Sequence, residues 1–189
     1  MTDPVAVLDF WLDEIGPEGW YAGTQEVDDS CAAGFADLVT AAREGNLEHW
    51  IDGPAGTLAY LILTDQFPRN IHRGTALAFA SDIRARAAAR HALDEGWDLK
   101  VPEPERQFFY MPLEHSEDMA DQELAVKLME ERLPSDPEMA LHARAHREMI
   151  RRYGRFPGRN AALGRESSPD EAAFLAAGGY PALVQQMKG

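Results

Sequence analysis

Apolar residues recur at spacings of three and four along almost the whole chain, and this period constrains the fold more than any other feature. Val5, Leu8, Leu12 and Ile15 mark one stripe, and Ala76, Phe79, Ile83 and Ala87 another. Residues so spaced share one face of an α-helix, whereas a half-buried strand needs alternation at period two, and no stretch alternates long enough to demand one. Start signals agree. Asp3-Pro4 and Asp136-Pro137 put proline at a first helical position, and Ser168-Pro169-Asp170-Glu171 spells a capping box. Gly45, Gly96 and Gly178-Gly179 read as stops. The pattern predicts about eight helices, near residues 4–15, 28–44, 55–66, 75–95, 104–111, 116–133, 137–153 and 169–177. Short Gly- and Pro-containing links favour antiparallel neighbours, so the expected fold is all-α, built from stacked antiparallel helical hairpins.

A chain of 189 residues is the size of one ordinary domain, and the expectation is a single all-helical domain over 1–189. Its formal charge of -14 argues against nucleic acid or an anionic membrane as partner, because both need a surplus of Lys and Arg. The expected partner is a small anionic molecule or a protein. Cys31, the one cysteine, shares a helical face with Phe35, Leu38 and Ala42 and reads as a core thiol. The longest apolar run, Leu58 to Leu63, is far short of the ~20 residues that span a bilayer, and the N-terminus lacks a secretory pattern, so a cytoplasmic location is expected.

One segment echoes another. Phe67-Pro68-Arg69-Asn70, followed by Arg73-Gly74-Thr75, recurs with one insertion as Phe156-Pro157-Gly158-Arg159-Asn160, followed by Gly164-Arg165 and Ser167-Ser168. In both copies proline is expected to end a helix and a hydroxyl residue to cap the next, which makes the two links structural equivalents. Hairpin repeats invite comparison with tetratricopeptide solenoids, but the roughly 34-residue signature of that repeat is not visible.

The residues suited to chemistry gather around these links. Asp65 falls on the apolar face of Leu58, Leu61 and Ile62, where a carboxylate needs a partner, and His142 and His146 share a face with Met149, Ile150 and Tyr153. Glu114, His115, Ser116, Glu117 and Asp118 are consecutive; Ser116 would cap a helix and the two acids after it would suit its positive end, whereas Glu114 and His115 have no such explanation. Arg69, Arg73, Arg155, Arg159 and Arg165 carry forks suited to carboxylates or phosphates. They either tie Asp65, Glu114 and Glu117 into an internal network or face an anionic ligand in a polar cleft, where His115 or Glu114 could move a proton. Glu138, His142 and His146 fall four apart on one face, but neither a His-Glu-x-x-His pattern nor paired Glu-x-x-His motifs are present, so no metal is expected. Phosphate-loop, nucleophile-elbow and Cys-x-x-Cys signatures are missing too, and no cofactor is expected.

Leu8-Asp9-Phe10-Trp11, Asp65-Gln66-Phe67-Pro68-Arg69-Asn70, the Met111 to Asp118 segment and Gly154-Arg155-Phe156-Pro157-Gly158-Arg159-Asn160 with Leu163-Gly164-Arg165 resemble, in the same order, a family of uncharacterised bacterial proteins. It is catalogued as a domain of unknown function, number nine-two-four, in the tetratricopeptide-like helical superfamily. The resemblance implies an all-helical, superhelical arrangement of hairpins and assigns no activity. It also implies a His where His146 stands, and places Gly158 where the family pattern has a His.

The sequence therefore points to a polar cleft for a small anionic ligand, formed where the two links and the Glu-His-Ser-Glu segment converge. Its expected ligand-binding residues are Asp65, Arg69, Asn70, Arg73, Glu114, His115, Glu117, His146, Arg155, Arg159, Asn160 and Arg165. The alternatives are a tetratricopeptide-like interaction module and an enzyme using His115 and Glu114 as an acid–base pair.

Overall fold

The computed structural model describes residues 3–188, and among these the regular elements are helices with no strand. The chain forms two compact units, Met1–Pro112 and Leu113–Gly189.

In the first unit α1 (Pro4–Leu8) is capped by Asp3, whose carboxylate accepts the Val5 N–H at 3.0 Å. The path continues as a π-helical segment, Asp9–Ile15. Helix α2 (Gln25–Glu44) starts three residues earlier than the apolar pattern predicts, because the Thr24 hydroxyl caps it; Gly45, at φ 87°, ends it in the left-handed conformation that glycine adopts without a Cβ clash. Helix α3 (Pro54–Leu61) leads into a second π-helical segment, Ile62–Gln66, and on into α4 (Phe67–Ile71). The helix expected near 75–95 is split into a 3-10 turn, Ala76–Phe79, and α5 (Asp82–Asp94). The helix expected near 104–111 is a 3-10 turn over Glu105–Phe109 followed by the single turn Met111–Glu114.

Proline does not stop the helix at Pro68, contrary to the sequence expectation. The Phe67 N–H bonds to the Ile62 carbonyl, five residues back, so the backbone enters the proline already wound one residue wider than an α-turn. Pro68 has no N–H for the Thr64 carbonyl four residues before it, and the Ser81 hydroxyl donates to that carbonyl instead, at 2.7 Å. Around this joint packs an aromatic core. The rings of Trp11 and Phe67 meet edge to face at 5.3 Å, Phe35 lies 5.0 Å from Phe67, and Trp20 meets Phe108 at 4.8 Å. Cys31 is fully buried in the same unit, and burial pushes its thiol up to about 11, which suits a packing role.

In the second unit α6 (Met119–Arg132) packs on α7 (Pro137–Tyr153), and α9 (Gly179–Lys188) packs on both α7 and α8 (Pro169–Ala176). The cap of α6 is Asp118 and not Ser116; its carboxylate accepts the N–H groups of Ala120 and Asp121 at 2.8 and 3.2 Å. Ser168 and Glu171 form the expected capping box. Gly178-Gly179, read from sequence as a stop, also opens α9, a helix the periodicity reading missed. Leu141, Ala145, Met149, Ile150, Phe156, Leu183 and Val184 make the core of this unit, with Phe174 and Tyr180 against its edge.

Candidate functional site

The first unit holds Asp65, Arg69, Asn70 and Arg73 of the expected site. Asp65 is buried, and the Arg69 guanidinium approaches its carboxylate at 3.2 Å while donating to its backbone carbonyl at 2.6 Å. Both arms of the same guanidinium reach Asp82 at 3.0 Å. Burial works against the Arg69 charge, yet Asp65 and Asp82 hold its pKa above the usual value. Arg73 forms a second bidentate pair, with Asp28 at 2.7 and 2.8 Å, and also donates to Asn70 at 3.1 Å. These arginines tie helix ends together.

The second unit holds the other eight residues. Here the echoed link is built differently: α7 ends at Tyr153, Gly154 takes the left-handed conformation at φ 67°, Phe156 is extended, and Pro157–Arg159 is a 3-10 turn. The two links are therefore not structural equivalents; the first is carried through by a π-turn and the second breaks. Glu117 pins the broken link, accepting the Phe156 N–H at 2.8 Å and both arms of Arg165 at 2.7 and 3.0 Å. Burial pushes the Glu117 carboxyl up, but Arg165, the Phe156 N–H and the more distant Arg159 together hold it below its usual range. Arg165 also donates to Asn160, and Arg155 grips Glu171 at 2.6 and 2.7 Å, which with the capping-box N–H of Ser168 keeps that carboxyl at about 2.

Glu114 takes neither Arg155 nor Arg165. It is 3% exposed, and its Oε1 lies 2.6 Å from Nδ1 of His146. The same nitrogen lies 3.0 Å from the carbonyl of His142. A ring nitrogen facing a carboxylate and a carbonyl must carry the hydrogen, so Nε2 is the acceptor of the neutral ring. Burial raises the Glu114 carboxyl, but the imidazoles of His146, His115 and His142 outweigh it and leave the pKa lowered. Its other oxygen, Oε2, is buried with no hydrogen-bond donor. The imidazole that Glu114 orients is thus His146; the ring of His115 lies 6.1 Å from it, edge to face.

His146 lines a cleft of about 170 Å³ together with Met149, Phe156, Gly158, Arg159, Phe174, Leu175 and Tyr180. Arg159 lies over the Phe156 ring, 4.4 Å from its centre, and donates to the His115 carbonyl at 2.9 Å. The Tyr180 ring stacks 4.6 Å from His146, and its hydroxyl shares a hydrogen bond of 2.5 Å with Nδ1 of His142. A Cβ added at Gly158 would meet nothing within 4 Å. Phe174, Leu175 and Tyr180 were not singled out by the sequence reading; they belong to α8 and α9, one of which it did not foresee.

The Glu138, His142 and His146 stripe does not act as a unit. Glu138 is on the surface beside Lys188, His142 turns to Tyr180, and His146 turns to Glu114. Among the described residues no group of three or more His, Cys, Asp or Glu is placed to hold a metal ion, and none of the described helices is long and apolar enough to cross a membrane.

This geometry belongs to a family without an assigned activity. Residues 7–179 match the family described as "Bacterial protein of unknown function (DUF924)", and the chain is a member of it. A solved structure, described as a protein of unknown function from Agrobacterium tumefaciens, is 39% identical; the alignment covers 91% of this chain and 96% of that one, with a TM-score of 0.85. No curated protein matches the chain at a significant level.

Proposed function

We propose that the second unit binds a small anionic molecule in the cleft between Arg159 and His146. The observation that carries this reading is the buried Glu114–His146 pair in the wall of a cleft that also presents a guanidinium. A buried carboxylate with one orphaned oxygen is costly, and such groups concentrate where charge is put to use. The pair fixes which nitrogen of His146 is the acceptor.

The site is smaller than the sequence reading implied. Asp65, Arg69, Asn70 and Arg73 act as ties within the first unit, and Arg155 and Arg165 as ties within the second. The test is isothermal titration of the purified protein with inorganic phosphate, acetate and benzoate, each to roughly 10 mM, a range that detects millimolar affinity. Saturable binding of any one of them, lost in Arg159→Gln with the melting temperature kept, supports the proposal. No saturable binding in the parent protein, or binding unchanged in Arg159→Gln, refutes it.

A further inference from the structure

The dimensions and lining of the cleft specify its ligand more closely than charge alone. We infer that it takes a single-ring carboxylate, a benzoate-like molecule with its ring inside and its carboxylate on Arg159; this rests on the anion-binding reading above.

Volume is the first argument. A cleft of about 170 Å³ is close to the roughly 150 Å³ cavity that accepts one benzene, and well below the roughly 300 Å³ at which sites for larger organic ligands begin. Inorganic phosphate would leave most of that space as wet apolar wall. The cleft is open on one side, so the second ring of a fused bicycle would extend into solvent and gain no further wall contact.

The walls are the second argument. Phe156, Phe174, Met149 and Leu175 supply aromatic and aliphatic surface, and Leu175, although a large apolar side chain, is 40% exposed. A flat ring between such side chains gains offset or edge contacts that a small inorganic anion cannot make. The polar groups are few, as in most organic-ligand sites: Arg159 for a carboxylate, and the His146 imidazole with the Tyr180 ring packed on it for a substituent elsewhere on the ligand.

The third argument is the missing side chain at Gly158. This residue lines the cleft in a 3-10 turn whose dihedrals do not demand glycine, and a Cβ there would project into open space. With no side chain at 158 this exposed edge of the cleft stays open, and a larger residue can be placed there without backbone strain.

The experiment is competitive titration of the full chain with benzoate, 4-hydroxybenzoate, cyclohexanecarboxylate, 2-naphthoate, acetate and phosphate, followed by calorimetry and by ligand-observed NMR. Benzoate or its hydroxy or cyclohexane analogue should bind at least about tenfold more tightly than acetate or phosphate, and 2-naphthoate no more tightly than benzoate. Gly158→Leu should weaken benzoate binding while helical circular dichroism and melting temperature stay at parent values; should that variant fail to fold, Gly158→Ala should weaken benzoate more than acetate. Acetate or phosphate binding as tightly as benzoate would overturn the single-ring inference and leave the anion site standing. Tighter binding of 2-naphthoate would overturn the size argument in the same way. If none of the six binds, both the inference and the reading beneath it fall.

Discussion

Replacing Arg69 with Ala tests whether the first-unit arginines are structural ties. Its guanidinium faces Asp65 at 3.2 Å and Asp82 at 3.0 Å through two arms, and their side chains are only 2% and 10% exposed. Arg69→Ala takes the bidentate partner from Asp82 and the ion-pair partner from Asp65, and also leaves the Asp65 carbonyl without the donor at 2.6 Å. Removing one partner of a buried, hydrogen-bonded charge cluster costs about 3–5 kcal/mol. For a chain of this size each kcal/mol moves the melting temperature by roughly 2–4 °C, so a fall of about 10 °C is expected. The assay is urea and thermal unfolding followed by tryptophan fluorescence, because all four tryptophans, Trp11, Trp20, Trp50 and Trp97, lie in the first unit and report its unfolding directly. A companion variant, Arg69→Ala with Asp82→Asn, should recover part of the loss, since one of the two buried negative charges that Arg69 offset is gone; a coupling of about 1–3 kcal/mol is expected from the cycle. A loss below about 1 kcal/mol in Arg69→Ala, or parent-protein stabilisation by phosphate that the variant lacks, would refute the tie and return Arg69 to the ligand site.

Two further outcomes concern the second unit. Glu171 is held at about 2 against an ordinary 4.5 by Arg155 and the Ser168 N–H, so the stability it contributes is complete above pH 4.5 and is lost as pH falls through its folded value. The melting-temperature gap between the parent and Arg155→Gln should accordingly be constant above about pH 5 and close between about pH 4.5 and 2; a gap that widens on acidification contradicts the pairing. Asp118→Ala should cost about 1 kcal/mol in urea unfolding because two α6 N–H groups lose their acceptor, and an unchanged midpoint would show that Asp118 is not the effective cap.

Local chemistry was readable where its partners are near in sequence. Asp3, Asp136 and Ser168 cap the helices the pattern assigned them, since an N-cap needs only the next two or three residues. Asp65, on an apolar face, was rightly expected to need a partner, and the i+4 arginine was visible. The π-segments were not. A π-turn leaves the apolar spacing almost intact over five to seven residues, and the donor that compensates Pro68 is Ser81, thirteen residues on. Asp118 displaced Ser116 because both are good caps two residues apart and only the path of the chain decides between them. The Glu114–His146 pair joins residues on separate elements at no characteristic spacing. Tyr180 escaped notice because Gly178-Gly179 reads as the end of a helix as readily as the start of one.

The π-segment at Ile62–Gln66 also determines which changes in chain length the gene can bear. Each residue of an α-helix turns the chain by about 100° and advances it 1.5 Å. A π-turn holds one residue more than an α-turn, so deleting one codon within it would restore ordinary winding and keep Phe67 between Trp11 and Phe35, whereas the same deletion within α3 would swing Phe67 out and carry Arg69 away from Asp82. A one-residue difference among relatives in this helix should therefore fall within residues 62–66, where the wider turn absorbs it, and a one-residue gap aligned within α3 marks a misplaced alignment.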